Sequence, residues 1–312
     1  MNYRSVSDLN EDIKRNLHKI PNGVSLVVGV PRSGLLAANL IALYLNVPLA
    51  DIDNFVEGKY YSSGARGSSR NKDPFAGTIL IVDDSIFSGS ALTKVKNKLK
   101  NVADKNYNLK YCCVYAFPGS ELLIDVHFKL LDLPRVFEWN LWHHGVLSNA
   151  CVDIDGVLCE DPTEDENDDG HKYLNFLQNA LPKHVPSTPI ATLVTSRLEK
   201  YRAQTEDWLS RTGIQYGELL MLDLPDKETR LRLGSHGAFK AEMYKNKPES
   251  NLFIESNREQ ARFIHDTTKK AVYCVDTNEM FAGDVPVSQY IRRKFSTQKN
   301  YVKSIFKLAL GR

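Results

Sequence analysis

Short β-branched apolar runs recur along the chain. Each is closed by Gly, Asp or Ser, and each leads into a segment whose apolar positions repeat at helical spacing. The runs are SLVVGV (25–30), TILIVDD (78–84), KYCCVYAF (110–117), ACVDIDGVL (150–158), ATLVTS (191–196), NLFIES (251–256) and AVYCVD (271–276); helical segments include 33–45, 90–102, 200–213 and 258–270. A continuous apolar run suits a strand covered on both faces, and its alternation with helices predicts parallel sheets layered by helices, an α/β fold. Ligands of such sheets bind beyond the carboxyl ends of the strands. The polar signals stand there: GVPRSG, VDDSIFSG, DIDGV, TSR and ES each terminate an apolar run.

Three stretches break the pattern. Residues 56–75 are rich in Gly, Ser, Arg and Lys without an apolar period, which predicts a loop of functional length. Residues 160–170 (EDPTEDENDDG) form an acidic run read as a solvated loop, with cation steering or shielding of a neighbouring site as the alternative. From about Gln289 the chain mixes Arg292, Arg293, Lys294, Lys303 and Lys307 with Ile291, Phe295, Ile305, Phe306 and Leu308. That amphipathic mixture suits an anionic membrane surface or docking on the preceding domain. The expected organisation is two parallel-sheet Rossmann-like domains in tandem, 1–148 and 149–285, followed by a basic tail over 286–312.

With 312 residues, the length favours two cores over one. Hydrophobic residues make up 42% and charged residues 25%, which excludes disordered and fibrous classes. A net charge of +2, from 40 basic and 38 acidic residues, provides no global steering toward nucleic acid. The five cysteines form no CxxC pair or Cys/His cluster and sit mostly in apolar runs, as in a cytoplasmic protein with reduced thiols. The N-terminal segment has no secretory apolar stretch and no run approaches 18 apolar residues, so the expectation is a chain neither secreted nor membrane-spanning.

GVPRSG (29–34) follows a strand and opens a helix, so its backbone N–H groups and Arg32 offer a place for an anion. The next strand ends in Asp83-Asp84 and runs into Ser85, Ile86, Phe87, Ser88, Gly89 and Ser90 at another helix start. Adjacent carboxylates suit a vicinal diol, and a small hydroxyl-rich turn suits a phosphate; ordinary loop and helix-cap roles are the bland alternative. Over about residues 20–140 these features resemble type I phosphoribosyltransferases, which use phosphoribosyl diphosphate with Mg²⁺. The resemblance implies that Asp83 and Asp84 hold the ribose hydroxyls and Ser85–Ser90 the 5-phosphate. It assigns the diphosphate to Val30, Pro31, Arg32, Ser33 and Gly34. It also places a closing loop at 56–75, with Lys59, Tyr60, Tyr61, Arg66 and Arg70 as contacts. Phe87 and Ala91 depart from the family, which often has Thr there. Only one short helix precedes residue 24, little for the hood that usually recognises a nucleobase.

In the second half, Asp153-Ile154-Asp155-Gly156 closes a buried strand. The first carboxylate suits a nucleophile, and the second, two residues on along an extended chain, suits proton transfer; a plain turn is the alternative reading. Thr195 follows, with Ser196 and Arg197 after it, then Lys240 in GAFKAEMYK and Glu255 at the end of LFIE. This ordered set resembles the haloacid dehalogenase-like phosphatases over about 150–285. The resemblance implies Asp153 as nucleophile, Asp155 as acid/base, Thr195 as phosphate ligand and Lys240 as balancing cation. Ser196 and Arg197 become substrate contacts. Mg²⁺ would be held by Asp153, Asp155 through its carbonyl, and Glu255. Glu255-Ser256 replaces the family's frequent acidic pair. Intervals of 42 residues (153 to 195) and 45 (195 to 240) leave no room for a cap domain, which implies an open site for a large substrate or one covered by a neighbouring domain. Trp142, His143 and His144 fall near the boundary, as hinge packing or as phosphate or sugar contacts; His171, His236 and His265 read as solvated or core residues.

Together these features predict a bifunctional enzyme. Phosphoribosyl transfer to an acceptor, expected to be a sugar or glycan, lipid-linked in one version, is followed by removal of the 5-phosphate to leave a ribofuranosyl group. The expected setting is cytoplasmic, with peripheral contact to the inner membrane through the tail. Two alternatives stand beside it: a nucleobase phosphoribosyltransferase joined to a nucleotidase, and a phosphoribosyl diphosphate sensor regulating a phosphatase.

Overall fold

The computed structural model describes residues 1–64, 73–100, 106–233 and 235–282. Arg66, Arg70 and the tail 286–312 lie outside the described residues. The chain divides into two compact units, Asn2–Arg135 and one beginning at Val136. Each is α/β with its own largely parallel sheet.

Strand β1 (Asn2–Arg4) and helix α1 (Val6–Asn16) open the first unit. Ser5 and Asp8 cap α1 reciprocally, each side chain accepting the other's backbone N–H. There follow β2 (Val24–Gly29), α2 (Gly34–Leu45), β3 (Leu49–Asp51), α3 (Ile52–Val56), β4 (Thr78–Ile86), α4 (Ser90–Leu99), β5 (Asn108–Ala116) and β6 (Val126–Leu130). The sheet order is β3-β2-β4-β5-β6, with every pairing parallel. Leu26, Val28, Ile79 and Ile81 pack with Phe55, Val95 and Leu99 on one face, each worth about 1.5–3 kcal/mol on burial. Order reverses between β2 and β4, the switch point at which such sheets bind ligands. Gly29 is in register with Val82, so the chains leaving the two strands emerge side by side. Strand β4 runs two residues past its predicted end because Ser85 and Ile86 still pair with Tyr115 and Ala116 of β5.

The second unit contains β7 (Arg135–Phe137, beginning at the division), β8 (Ala150–Val152), α5 (His171–Asn179), β9 (Ile190–Leu198), α6 (Arg202–Thr212) and β10 (Tyr216–Leu222). It continues through α7 (Lys227–Leu233), α8 (Ser235–Lys245), β11 (Leu252–Glu255), α9 (Arg258–Thr268), β12 (Val272–Cys274) and β13 (Glu279–Phe281). The sheet order is β10-β9-β8-β11-β12-β13, parallel except for β13. Its switch point lies where β8 sits between β9 and β11, at Asp153, Thr195 and Glu255. The run predicted as a strand to 158 leaves the sheet after Val152. Gly156, at φ +72°, and the Leu158 N–H donating to Ile154 O (2.8 Å) turn the chain away.

The interval between Asp153 and Thr195 holds α5 and most of β9; that between Thr195 and Lys240 holds α6, β10 and α7. All five cysteines are buried free thiols. Among the described residues no helix is long and apolar enough to cross a membrane.

Candidate active sites

In the first unit a cavity of about 230 Å³ opens at the switch point, lined by Val30, Asp83, the turn from Ser85 to Leu92, and Arg135. The loop after β2 seats itself on the acidic pair. Val30 N–H donates to Val82 O (2.8 Å) and Ser33 Oγ donates to Asp84 Oδ1 (2.9 Å). A Cβ at Gly34 would stand 2.9 Å from both Asp83 Oδ1 and Val82 O, so only glycine lets the loop approach so closely. The Pro31–Arg32 peptide is cis, and both residues are exposed.

The two acids are not equivalent. Asp83 faces the cavity, whereas Asp84 is buried at 3% exposure beneath Ser33. Burial and the neighbouring Asp84 charge push the Asp83 carboxyl up to about 8. Arg135, which sequence reasoning did not single out, reaches the same wall and donates from Nη2 to Ile86 O (3.1 Å). Burial lowers its pKa, opposed by the Asp84 charge.

The expected phosphate turn is shorter than its sequence, since Ser85 and Ile86 belong to β4. Gly89 (φ +74°) caps α4, and Ser88 Oγ donates to Ser90 Oγ (3.1 Å). Phe87 packs edge-on against Phe117. Tyr60 and Tyr61 are exposed and do not line the cavity; Lys59 pairs with Glu57.

The second unit has a cavity of about 210 Å³ at its own switch point. Lys240, in the middle of α8, donates to Asp153 Oδ2 (2.6 Å), Glu255 Oε2 (2.7 Å) and Gln260 Oε1 (3.1 Å). Asp153, Lys240 and Glu255 are all at least 96% buried. Burial drives the Asp153 carboxyl up to about 7, with Lys240 pulling against it. Burial opposes the Lys240 ammonium, but the two carboxylates outweigh it and hold its pKa above the ordinary lysine value. Two buried carboxylates around one ammonium leave a net negative charge, which invites a further cation. Thr195 and Ser196 line the cavity; Thr195 Oγ1 accepts from Arg197 N–H (3.2 Å).

Asp155 and Arg197 pair with each other, and only Arg197 departs from its expected place on the cavity wall. Because the chain turns directly after Asp153, the Asp155 carboxylate meets the Arg197 guanidinium. Nη2 donates to Oδ1 (2.6 Å) and Nε lies 3.1 Å from both oxygens. Arg197 is fully buried, backed by Thr205 and Cys159, and it does not line the cavity where substrate would contact it. Asp155 keeps its place on the cavity wall.

Residues not predicted for the site complete it: Asp161 and Asn167 from the acidic run, Arg230 from α7, and His236 from α8. The acidic run is therefore a hydrogen-bonded structure. Asp168 accepts N–H groups at the start of α5, and Asp169 binds Lys200, Tyr201 and the Lys227 N–H. His236, read as solvated or core, is pushed down to about 4 by burial and by the nearby Arg230 and Lys240 charges. Trp142, His143 and His144 are occupied locally. Trp142 stacks on His184 (4.3 Å), His143 bonds Ser187 (2.8 Å), and His144 accepts from Val146 N–H (3.0 Å).

For the metal, Asp153 and Glu255 supply carboxylate oxygens, and the Asp155 carbonyl and Glu255 Oε1 both lie 3.5 Å from Ser256 Oγ. This oxygen-only, net-negative set has the chemistry of a Mg²⁺ site. Among the described residues no cluster of three or more His, Cys, Asp or Glu side chains has metal-holding geometry.

Residues 3–149 match the family model described as a phosphoribosyl transferase domain, which makes this segment a phosphoribosyltransferase-type domain. A purine phosphoribosyltransferase from Pyrococcus horikoshii is 22% identical, over 44% of this chain and 92% of that one, with a TM-score of 0.32. A xanthine-guanine-hypoxanthine phosphoribosyltransferase from Helicobacter pylori is 16% identical over 44% and 92%, with a TM-score of 0.33. A Pnkp1/Rnl/Hen1 complex is 14% identical over 85% of this chain and 99% of that one, with a TM-score of 0.29. No curated protein matches the chain.

Proposed function

We propose that the chain is a two-step enzyme. The first unit transfers a 5-phosphoribosyl group from the magnesium complex of phosphoribosyl diphosphate to a sugar or glycan hydroxyl. The second removes the 5-phosphate, leaving a ribofuranosyl group. The family match over residues 3–149 supports the donor. The observation that carries the second step is Lys240 held between Asp153 and Glu255, a charge-balanced nucleophile beside Thr195 in one cavity. A phosphatase on the same chain fits an acceptor whose product is completed by losing phosphate.

In the transfer, the acceptor oxygen bonds to the anomeric carbon as the bond to diphosphate breaks, and the acceptor proton goes to solvent. Asp83 and Asp84 accept from the ribose hydroxyls, and the Asp84 carboxylate sets negative charge beside the developing cation. Loop 30–34 and the turn at Ser88–Ser90 receive the diphosphate and the 5-phosphate. In the hydrolysis, Asp153 attacks phosphorus, the bond to the ribosyl 5-oxygen breaks, and Asp155, on the cavity wall, relays a proton from solvent to that oxygen. Water then attacks the phosphoaspartate, Asp155 takes its proton, and phosphate departs. Asp153, the Asp155 carbonyl and Glu255 would hold Mg²⁺, which when bound screens phosphoryl charge.

The test is mass spectrometry of products from a panel of glycans and nucleobases with phosphoribosyl diphosphate and Mg²⁺. Wild type should yield a ribosylated glycan, Asp153→Asn should accumulate its phosphoribosylated form, and Asp83→Asn/Asp84→Asn should release no diphosphate. Nucleotide formed only from a free base would replace the glycan with a nucleobase. Hydrolysis persisting in Asp153→Asn would remove the nucleophile assignment, and a wild-type chain releasing no diphosphate would reduce the first unit to a sensor.

A further inference from the structure

Lys240 is the expected phosphate-balancing cation of the second cavity, yet its three contacts are all within the protein, two of them carboxylates. A phosphate monoester is a dianion entering a cavity that already holds Asp153, Asp155, Asp161 and Glu255. It needs a positive group not already neutralised. Arg197 does not supply one, since Asp155 takes its guanidinium.

Arg230 does. It is 93% buried, lines the cavity, and forms no ion pair among the described residues. Its Nη1 donates to Ser196 O (2.9 Å), which fixes the guanidinium plane, while its Nε is buried without a hydrogen-bond partner. Beside it the Ser196 hydroxyl is likewise buried and unpartnered. Two unsatisfied buried polar groups on one wall are costly unless something outside the chain completes them. Helix α7 is held for this purpose at its start: Asp226 Oδ1 accepts from Thr229 N–H (2.7 Å), and Asp169 accepts from Lys227 N–H (3.1 Å).

We propose that Arg230, with the Ser196 hydroxyl as co-donor, grips the non-bridging oxygens of the substrate phosphoryl group and selects monoesters over diesters. The guanidinium fork and the Ser196 hydroxyl together match the three non-bridging oxygens of a monoester dianion, whereas a diester offers only two and a single negative charge. The inference rests on the phosphatase reading of this unit, but it predicts binding as well as turnover.

The experiment is calorimetric titration of the full chain with inorganic phosphate in Mg²⁺, for wild type, Arg230→Gln, Arg230→Lys and Ser196→Ala, with circular dichroism to verify folding. The same proteins are assayed on ribose 5-phosphate and on bis-p-nitrophenyl phosphate. Arg230→Gln should lose about ten- to a hundredfold in phosphate affinity, the worth of charge-assisted hydrogen bonds, and KM for the monoester should rise in step. Arg230→Lys should fall between, added guanidinium should restore part of the binding to Arg230→Gln, and the monoester-to-diester preference should narrow. Phosphate affinity within twofold of wild type in folded Arg230→Gln overturns the proposal, as does a wild-type chain that binds no phosphate. If phosphate binds through Arg230 but no monoester is hydrolysed, the phosphatase reading fails while the anion site stands.

Discussion

Replacing Arg197 with Met removes the fully buried half of an ion pair in the second unit while keeping much of the side chain's apolar bulk. Three donor contacts to Asp155 disappear, together with the weaker Nη1 approach to Thr205 (3.4 Å). The carboxylate left behind sits 20% exposed, against 0% for the arginine. Stripping one partner from a buried pair costs about 3–5 kcal/mol, and water at the cavity mouth places this case near the lower end, about 3 kcal/mol. For a unit of this size each kcal/mol moves Tm by about 2–4 °C, so a fall of roughly 6–12 °C is expected. Trp139, Trp142 and Trp208 all belong to the second unit, so tryptophan fluorescence during heating follows that unit selectively. Arg197→Lys, which keeps the charge and loses the fork, should fall between. A Tm within 2 °C of wild type for Arg197→Met would refute the reasoning, because it would mean Asp155 finds water as readily as it finds the guanidinium.

Gly34→Ala forces a Cβ to within 2.9 Å of Val82 O and Asp83 Oδ1, and a contact with backbone must be relieved by moving the loop. Overpacking of this kind costs about 1–3 kcal/mol, so diphosphate release should fall about five- to a hundredfold while phosphate release by the second unit is unchanged; an unaltered transfer rate would show that the loop does not need its close seat. Asp83 makes the first unit sensitive to pH. Its carboxyl titrates near 8 in the folded chain and near 3.8 when unfolded, so the folded state binds the extra proton and stability falls as pH rises from about 4 to about 8. Urea titrations followed by circular dichroism should show this decline, with tryptophan fluorescence marking the second unit's transition. Asp83→Asn should flatten it, and an equal slope in that variant would exclude Asp83 as the cause.

The alternation of apolar runs and helical segments carried the architecture, and the endings of those runs marked the switch-point residues in both sheets. Strand ends were less legible. Whether β4 stops at Asp84 or Ile86 depends on pairing with Tyr115 and Ala116, some 30 residues away in the chain. Strand β10 has no legible apolar run, because Gly217 and the exposed Glu218 interrupt its pattern. Arg135, Arg230 and His236 carry no local motif. An arginine in the charged stretch KETRLRL reads as solvent-facing until α7 is set against the cavity. The acidic run looked like a loop for water, yet its carboxylates order the backbone and brace α7.

By itself the sequence determined what local order can encode: two α/β units, the loops that end their strands, and the chemical types placed there. Tertiary structure alone decided how those charges pair. Lys240 comes between Asp153 and Glu255, Asp155 passes to Arg197, and Arg230 is left over for something else. The reason is physical: burial makes an unpaired charge costly, so each group's role depends on which opposite charge lies within about 3 Å, and distances of that kind are set by the packing of segments far apart in the chain.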